Sequence, residues 1–402
     1  MNKSQRNILE KTLAIVTLLG LVLAWGLGSL RQQDHITTQL MQVVQQPMLF
    51  NELQHDVWAA KPKKTAVKSN LTDYLLWVGR AESVGYGGML QTIIQVNEKQ
   101  QISGIAIIQS AETPSYLKEV ISNGLIDNFI DQNVAKLKQL DGITGATLTS
   151  NAINHSIIQA AKNIGINVFK LPLTLPESTL ILPQIIDGIA LLIFIIAIVI
   201  NRPAFPHKII AKRIMMGVSI IVLGFYAAAP YGANTLGFVL SGVWLDGIAS
   251  YTSLLLLLVT IGYLLVTNKN VYCSTVCPFG ATQECIGKLN KAKACKPKHD
   301  FFIWFARGLL WFTLILGLYY RNSASFSYEP FGMAFNMIGT HFIFVLTILI
   351  VLTSLFINKP WCQTLCPVHH FIEYIRFMKK WIKNSVKPTR FTEKKRGERH
   401  AS

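Results

Sequence analysis

Asp141-Gly142-Ile143-Thr144-Gly145-Ala146-Thr147-Leu148-Thr149-Ser150 places small, flexible and hydroxylated residues directly ahead of an apolar helix-like run, Ala152 to Ile164. Gly145 and Ala146 leave room for a bulky group to approach the backbone, and Thr147 offers a hydroxyl. The N–H groups of the following helix start attract an anion. Such a stretch can hold a phosphate. The competing reading is structural, with Thr149 or Ser150 serving as an ordinary helix N-cap.

Sulfur forms the second constellation. All six cysteines lie after residue 272, and Cys273-Ser274-Thr275-Val276-Cys277-Pro278 and Cys362-Gln363-Thr364-Leu365-Cys366-Pro367 share the pattern C-x-T-x-C-P. A glutamate follows at the same distance in both, Glu284 and Glu373. Proline suits the first position of a helix, whose N-terminus stabilises negative sulfur nearby. Each copy follows an apolar run, so the two read as a duplicated hairpin-plus-motif unit. The repeat brings Cys273, Cys277, Cys362 and Cys366 together as metal ligands. On spacing alone structural zinc and redox iron fit equally, and a disulfide fits poorly in a reducing compartment. Cys285 and Cys295 have no counterparts in the second copy, where Tyr374 aligns with Cys285, and are read as non-ligands.

Both constellations need a scaffold, and the composition describes one. The 402 residues are 51% hydrophobic and only 15% charged, with several long apolar runs, which fits a membrane protein carrying one soluble module. The net charge of +17 excludes nucleic acid as a partner through its distribution, because Lys and Arg crowd the ends of apolar segments instead of striping a soluble face. The expected architecture is an α+β soluble domain joined to an all-α polytopic membrane domain of about six transmembrane helices.

In chain order, residues 1–31 form a basic stub and a membrane anchor, preferred over a cleaved signal peptide because no small-residue cleavage site closes the run. Residues 32–71 read as a polar linker or stalk. The soluble domain covers 72–168, with strands from Leu90 to Val96 and from Ile102 to Gln109. Helices are expected at Tyr116 to Ile130, Val134 to Leu140 and Ala152 to Ile164. A Pro-punctuated segment, 169–180, leads to a five-helix membrane domain, 181–380, and a basic tail, 381–402. The five spans are expected at 181–200, 214–231, 250–267, 301–320 and 340–357. Lysines and arginines fill the loops after the second and fourth spans of the chain, while 231–249 has none and 321–339 only Arg321. Six spans would put both termini in the cytoplasm and the soluble domain outside it, in a bacterial inner membrane. Asp187 and Asp246 are placed at the outer edge, Arg307 two turns into the fifth span, and His369 and His370 on a solvated helix start.

The stretch ending at Thr147 resembles the D-G-x-[S/T]-G-A-T signature of bacterial FMN-binding domains in sodium-pumping quinone reductases, Rnf complexes and NosR/NirI-type membrane flavoproteins. Gly85-Tyr86-Gly87-Gly88, the two strands and Glu112-Thr113-Pro114 follow the same order, although Ser115 stands where the family has a glycine. The resemblance implies FMN joined to Thr147 by a flavin transferase through a phosphoester. It also implies a binding site formed by Asp141, Gly142, Thr144, Gly145, Ala146, Thr149, Glu112 and Thr113. The duplicated cysteine motif resembles the polyferredoxin-type membrane domain of NosR/NirI and NapH-like proteins, which implies an iron or iron-sulfur centre.

The expected function is therefore transmembrane electron transfer, from a cytoplasmic or quinone donor through the cysteine centre to FMN and on to a periplasmic acceptor. Nitrous oxide or nitrite respiration is the setting that the resemblance implies. The chain shows no soluble-ferredoxin run after its last apolar segment, so the donor is expected to be another molecule. Two other classes fit the residues: a quinol-linked or ion-pump component of Rnf type, and a non-enzymatic membrane sensor with structural zinc. No catalytic residue is assigned, and whether the chain is an enzyme is left open.

Overall fold

Alternation of apolar and polar residues turns the first half of the chain into a sheet. The computed structural model describes residues 3–32, 48–54, 56–62, 76–175, 184–228, 230–242, 244, 250–293 and 300–385. After an N-terminal helix, α1 (Lys3–Gln32), come β1 (Met48–Gln54), β2 (Val57–Pro62), β3 (Leu76–Val84), β4 (Met89–Asn97) and β5 (Ile102–Ser110). They form one five-stranded sheet in chain order, every neighbour antiparallel. The period of two sends Leu90, Ile94 and Val96 to one face and Ile93 to the other. α2 (Pro114–Ser122) and α3 (Thr147–Asn167) follow, and α3 covers the first face with Ile153, Ile157 and Ile164, all fully buried. Burying each isoleucine stabilises the fold by about 1.5–3 kcal/mol. Truncating Ile157 to alanine would cost about 2–5 kcal/mol.

The expected helix from Tyr116 to Ile130 ends instead at Ser122, where Asn123 and Gly124, the latter at φ +75°, turn the chain. Val134 to Leu140 forms only one 3-10 turn, Val134–Lys136, capped by the Asn133 side chain. Helix α3 starts at Thr147, five residues ahead of the expected Ala152. The expected linker is the largest departure, since 48–62 supplies two strands whose register continues the sheet.

The remaining helices are α4 (Ile185–Ile200), α5 (Lys208–Ser219), which runs on into a π-helical segment, Ile220–Tyr226, and α6 (Ala233–Ser241). Then follow α7 (Tyr251–Thr267), α8 (Pro278–Leu289), α9 (Asp300–Tyr319), α10 (Phe331–Asn336), α11 (His341–Ser354), α12 (Pro360–Thr364) and α13 (Pro367–Ser385). Among the described residues a helix lies within each of the six apolar segments expected from sequence. Among the described residues three are long and apolar enough to cross a membrane, Glu10–Leu30, Lys208–Tyr226 and Phe301–Tyr319. Ile185–Ile200, Tyr251–Thr267 and His341–Ser354 are apolar but shorter.

The chain divides into two compact units. The first comprises Met1–Ile185, Gly232–Tyr251 and Trp311–Ile348 and contains the sheet domain. Within it the sheet domain rests on the 311–348 segment: Asn322 donates to the Ser110 carbonyl at 2.7 Å and Asn336 to the Tyr116 hydroxyl at 2.7 Å. The second unit, Ile186–Tyr231, Thr252–Leu310 and Leu349–Ser402, contains the described cysteines.

Candidate functional site

Helix α3 builds the first site from its own N-terminus. Ala146 occupies the cap position and no side chain caps the helix start, so Thr149 and Ser150 lie inside the first turn and neither is the N-cap. Ser150 Oγ accepts from the Ile143 N–H at 3.1 Å and donates to the Ala146 carbonyl at 2.8 Å. One turn on, buried Asn154 donates to the Leu140 carbonyl at 2.8 Å. These two side chains clamp the loop from below and leave its upper surface open. Asp141, Gly142, Thr144, Gly145 and Thr147 are at least partly exposed, while Ala146 and Thr149 are buried.

Gly145 adopts φ +84°, a conformation side chains resist, and a Cβ there would press on Ile338 at 3.0 Å. The loop therefore passes close to 336–338 of the same unit. Thr147, the first helical residue, is exposed, and its hydroxyl makes only a long hydrogen bond of 3.3 Å to the Ile143 carbonyl. A phosphate on Thr147 would meet uncapped N–H groups and the positive end of α3.

Glu112 lies behind the loop, 1% exposed, and accepts from the Gly87 N–H at 3.1 Å. Burial raises its carboxyl to about 7, against the opposing pull of the Gly87 N–H and the Thr149 hydroxyl. Gly85 is the residue that permits this, because a Cβ there would fall on the Glu112 carboxylate. Glu112 and Thr149 thus meet each other inside the domain. Thr113 caps α2 through its backbone position alone, without a side-chain bond. Tyr86 and Tyr116 pack ring on ring at 5.4 Å beside them, an arrangement that spacing alone did not reveal.

The second site is assembled by the repeat. Cys277 is the N-cap of α8 and its sulfur accepts from the Gly280 N–H at 3.4 Å. Cys366 holds the same position before α13, where the His369 N–H serves its sulfur. The proline of each motif is the first residue of its helix, Pro278 and Pro367. Cys273, Cys277, Cys362 and Cys366 neighbour one another, and Gly280 faces both Cys277 and the Cys362 sulfur, the latter at 3.6 Å from a Cβ position. Among the described residues, no three His, Cys, Asp or Glu side chains close to the spacing that one metal ion requires.

Burial, reinforced by Cys277, pushes the Cys273 thiol up to about 12, and burial likewise raises Cys277, Cys362 and Cys366. Four neighbouring thiols shifted up in this way become thiolates most readily when bound positive charge replaces their protons, which is the chemistry of a metal or cluster cradle. Cys285 is exposed, and Cys295 and Asp246 lie outside the described residues.

An aromatic residue precedes each motif and both are buried, Tyr272 stacked on Tyr231 at 4.1 Å and Trp361 edge-on to Phe279 at 6.5 Å. The paired glutamates anchor cations. Glu284 meets Lys359 at 2.7 Å, Lys288 at 3.0 Å and Lys212 at 3.7 Å. Its partial burial would raise its carboxyl, but the three lysines hold it down at about 2. Glu373 pairs with His369, His370 and Arg307, which also covers the Trp304 ring at 5.2 Å. One placement differs from expectation: His370 is 4% exposed, with its Nε2 2.8 Å from the Thr364 carbonyl; Asp187, in the first turn of α4, is buried and accepts from the Thr252 hydroxyl at 2.5 Å.

Comparison with known proteins matches each site to a domain. A family described as FMN-binding domain matches residues 85–162, and one described as 4Fe-4S binding domain matches 249–296 and 340–385, the two copies of the cysteine motif. The chain is also similar to a component of the proton-translocating ferredoxin:NAD(+) oxidoreductase complex of Clostridium ljungdahlii, 27% identical over 108 residues. That match takes in 25% of this chain and 57% of the clostridial protein. The chain thus joins an FMN-binding domain to a 4Fe-4S ferredoxin-type domain, with helices of membrane character, and the combination points to electron transfer.

Proposed function

We propose that the protein carries electrons across a membrane between an iron-sulfur centre held by Cys273, Cys277, Cys362 and Cys366 and an FMN joined to Thr147. The observation that carries this reading is the pairing in one chain of an open, uncapped helix start bearing Thr147 with four neighbouring cysteines, partly to fully buried, drawn from two repeats. The iron-sulfur centre supplies single electrons and the flavin one or two, which lets the chain serve either kind of partner.

Its own residues then have defined tasks. Asp141, Gly142, Thr144, Gly145 and Ala146 shape the phosphate loop, Ser150 and Asn154 hold it, and Thr149 with Glu112 and Thr113 supports it from within. The first turns of α8 and α13 direct the Gly280 and His369 N–H groups at sulfur and favour its anionic form. All six apolar helices span the bilayer in this reading, the three shorter ones included, with the flavin domain on the periplasmic side of a bacterial inner membrane. The seating of that domain on Asn322 and Asn336 keeps its loop beside the segment that follows α9. A flavin transferase matures Thr147, a cytoplasmic or quinone donor feeds the cysteine centre, and a periplasmic acceptor drains the flavin. A NosR-like role in nitrous oxide or nitrite respiration is one setting for such a conduit.

The similarity to one component of a larger complex favours a second reading, in which the same cofactors work inside an Rnf-like assembly. Co-purifying proteins would support it, and flavin reduction by the isolated chain would support the stand-alone conduit. Metal and flavin analysis of purified protein tests the proposal at its base. Iron with acid-labile sulfide and one FMN per chain is expected. Zinc at one per chain without visible iron absorbance would sink the conduit and leave a membrane sensor with a structural site.

A further inference from the structure

Gln283 lies in α8, past the first cysteine pair, and is 1% exposed. Its side chain leaves its own repeat. Oε1 accepts from the Trp361 N–H at 3.1 Å, and Nε2 donates to the Cys362 sulfur at 3.5 Å and to the Phe279 carbonyl at 3.3 Å. The amide orientation is fixed by these partners, since a flip would set N–H against N–H at Trp361 and oxygen against oxygen at Phe279. The donor therefore faces sulfur.

The repeat makes the contact informative. Backbone donors are matched in the two copies, Gly280 to Cys277 and His369 to Cys366. The glutamine itself has no counterpart: the residue at the same place after the second pair is Ile372, a buried aliphatic side chain, and Cys273 meets the local Asn270 side chain instead. The Cys362 sulfur thus receives its side-chain N–H from across the junction between copies.

We infer that Gln283 is a positioning residue that fixes Cys362 on the cysteine centre and raises its reduction potential by hydrogen bonding to its sulfur. This rests on the iron-sulfur reading given above. Reduction adds an electron to the centre and raises negative charge on its sulfurs, so a donor already in place stabilises the reduced form, and its removal favours the oxidised one. Gln283 also ties Trp361, next to Cys362, to the helix that follows Cys277, which makes the two copies one structural unit.

The test is a redox titration of purified full-length protein, followed by electron paramagnetic resonance of the reduced centre, with iron content measured on the same samples. Gln283→Met keeps the length and removes the donor. It is expected to keep iron and to shift the reduction equilibrium about tenfold toward the oxidised form, equivalent to roughly 59 mV for one electron. The flavin potential should not move. Should the methionine chain lose iron, Gln283→Asn decides: it keeps an amide too short to serve Trp361 and Cys362 together, and its potential should fall as well. An iron-replete variant with the wild-type potential overturns the inference and leaves the iron-sulfur reading intact. A wild-type protein without iron overturns both.

Discussion

The flavin loop and the cysteine centre solve the problem of holding a redox group in opposite ways. The loop is local: Thr147, its clamps Ser150 and Asn154, and the backbone groups they hold lie within one short stretch, and Thr147 is exposed. The cysteine centre is distributed, with Cys273 and Cys362 on different repeats, Cys366 buried and the other three cysteines partly so. A covalent bond to a protein hydroxyl needs access for a maturing enzyme, whereas a metal cradle needs low dielectric and many converging donors. On the proposed reading the two sites would fail differently, one by losing a single atom and the other by losing either half of a pair.

That contrast can be broken most decisively at Thr147. Thr147→Ala should abolish flavin fluorescence in a denaturing gel while iron content stays at the wild-type level; residual fluorescence would move the attachment elsewhere. Almost as large an effect is expected at the cysteines. Cys273→Ser alone and Cys362→Ser alone should each empty the iron site and leave in-gel flavin unchanged, and retention of half the iron in either would mean that each repeat builds its own centre.

A smaller effect comes from Glu112. Its carboxyl is raised by burial from 4.5 to about 7, so the folded domain binds the proton more tightly than the unfolded chain does. The stabilisation is complete below pH 4.5 and is lost as pH rises through about 7, with a maximum effect of about 3 kcal/mol. Glu112→Gln should flatten this dependence and stabilise the domain at pH 8. Hydrogen-exchange mass spectrometry of the β3–β5 peptides, corrected for intrinsic rates, reads it, and an unchanged pH slope would contradict the assignment. The smallest effect is packing. Gly85→Ala forces a methyl onto the Glu112 carboxylate and should cost the sheet domain about 1–3 kcal/mol, with no change in iron content.

Legibility in the sequence followed the same division. The stretch ending at Thr147 and the two cysteine pairs were legible as motifs because each is carried by neighbours in the chain, and the period of two found β4 and β5. The strands at 48–62 escaped because a lysine- and proline-containing segment reads as linker until a partner strand completes it. The early start of α3 escaped because threonines and serine there suggest a cap, although the clamp on Ile143 and Leu140 makes helix the better use of those residues. Gln283 reaching Cys362, Tyr231 stacking on Tyr272 and Glu112 meeting Thr149 are long-range pairings, and no local pattern encodes them. The aromatic residue before each motif, Tyr272 and Trp361, was readable as part of the repeat, and both are buried.

The central claim is conduction from the cysteine centre to the flavin, and vesicles test it directly. Protein reconstituted in one orientation, with dithionite confined to the side of the cysteine motifs, should show bleaching of Thr147-bound flavin on the other side, and Cys362→Ser should abolish it. Flavin that stays oxidised in the wild type, or bleaches equally in Cys362→Ser, would contradict the account.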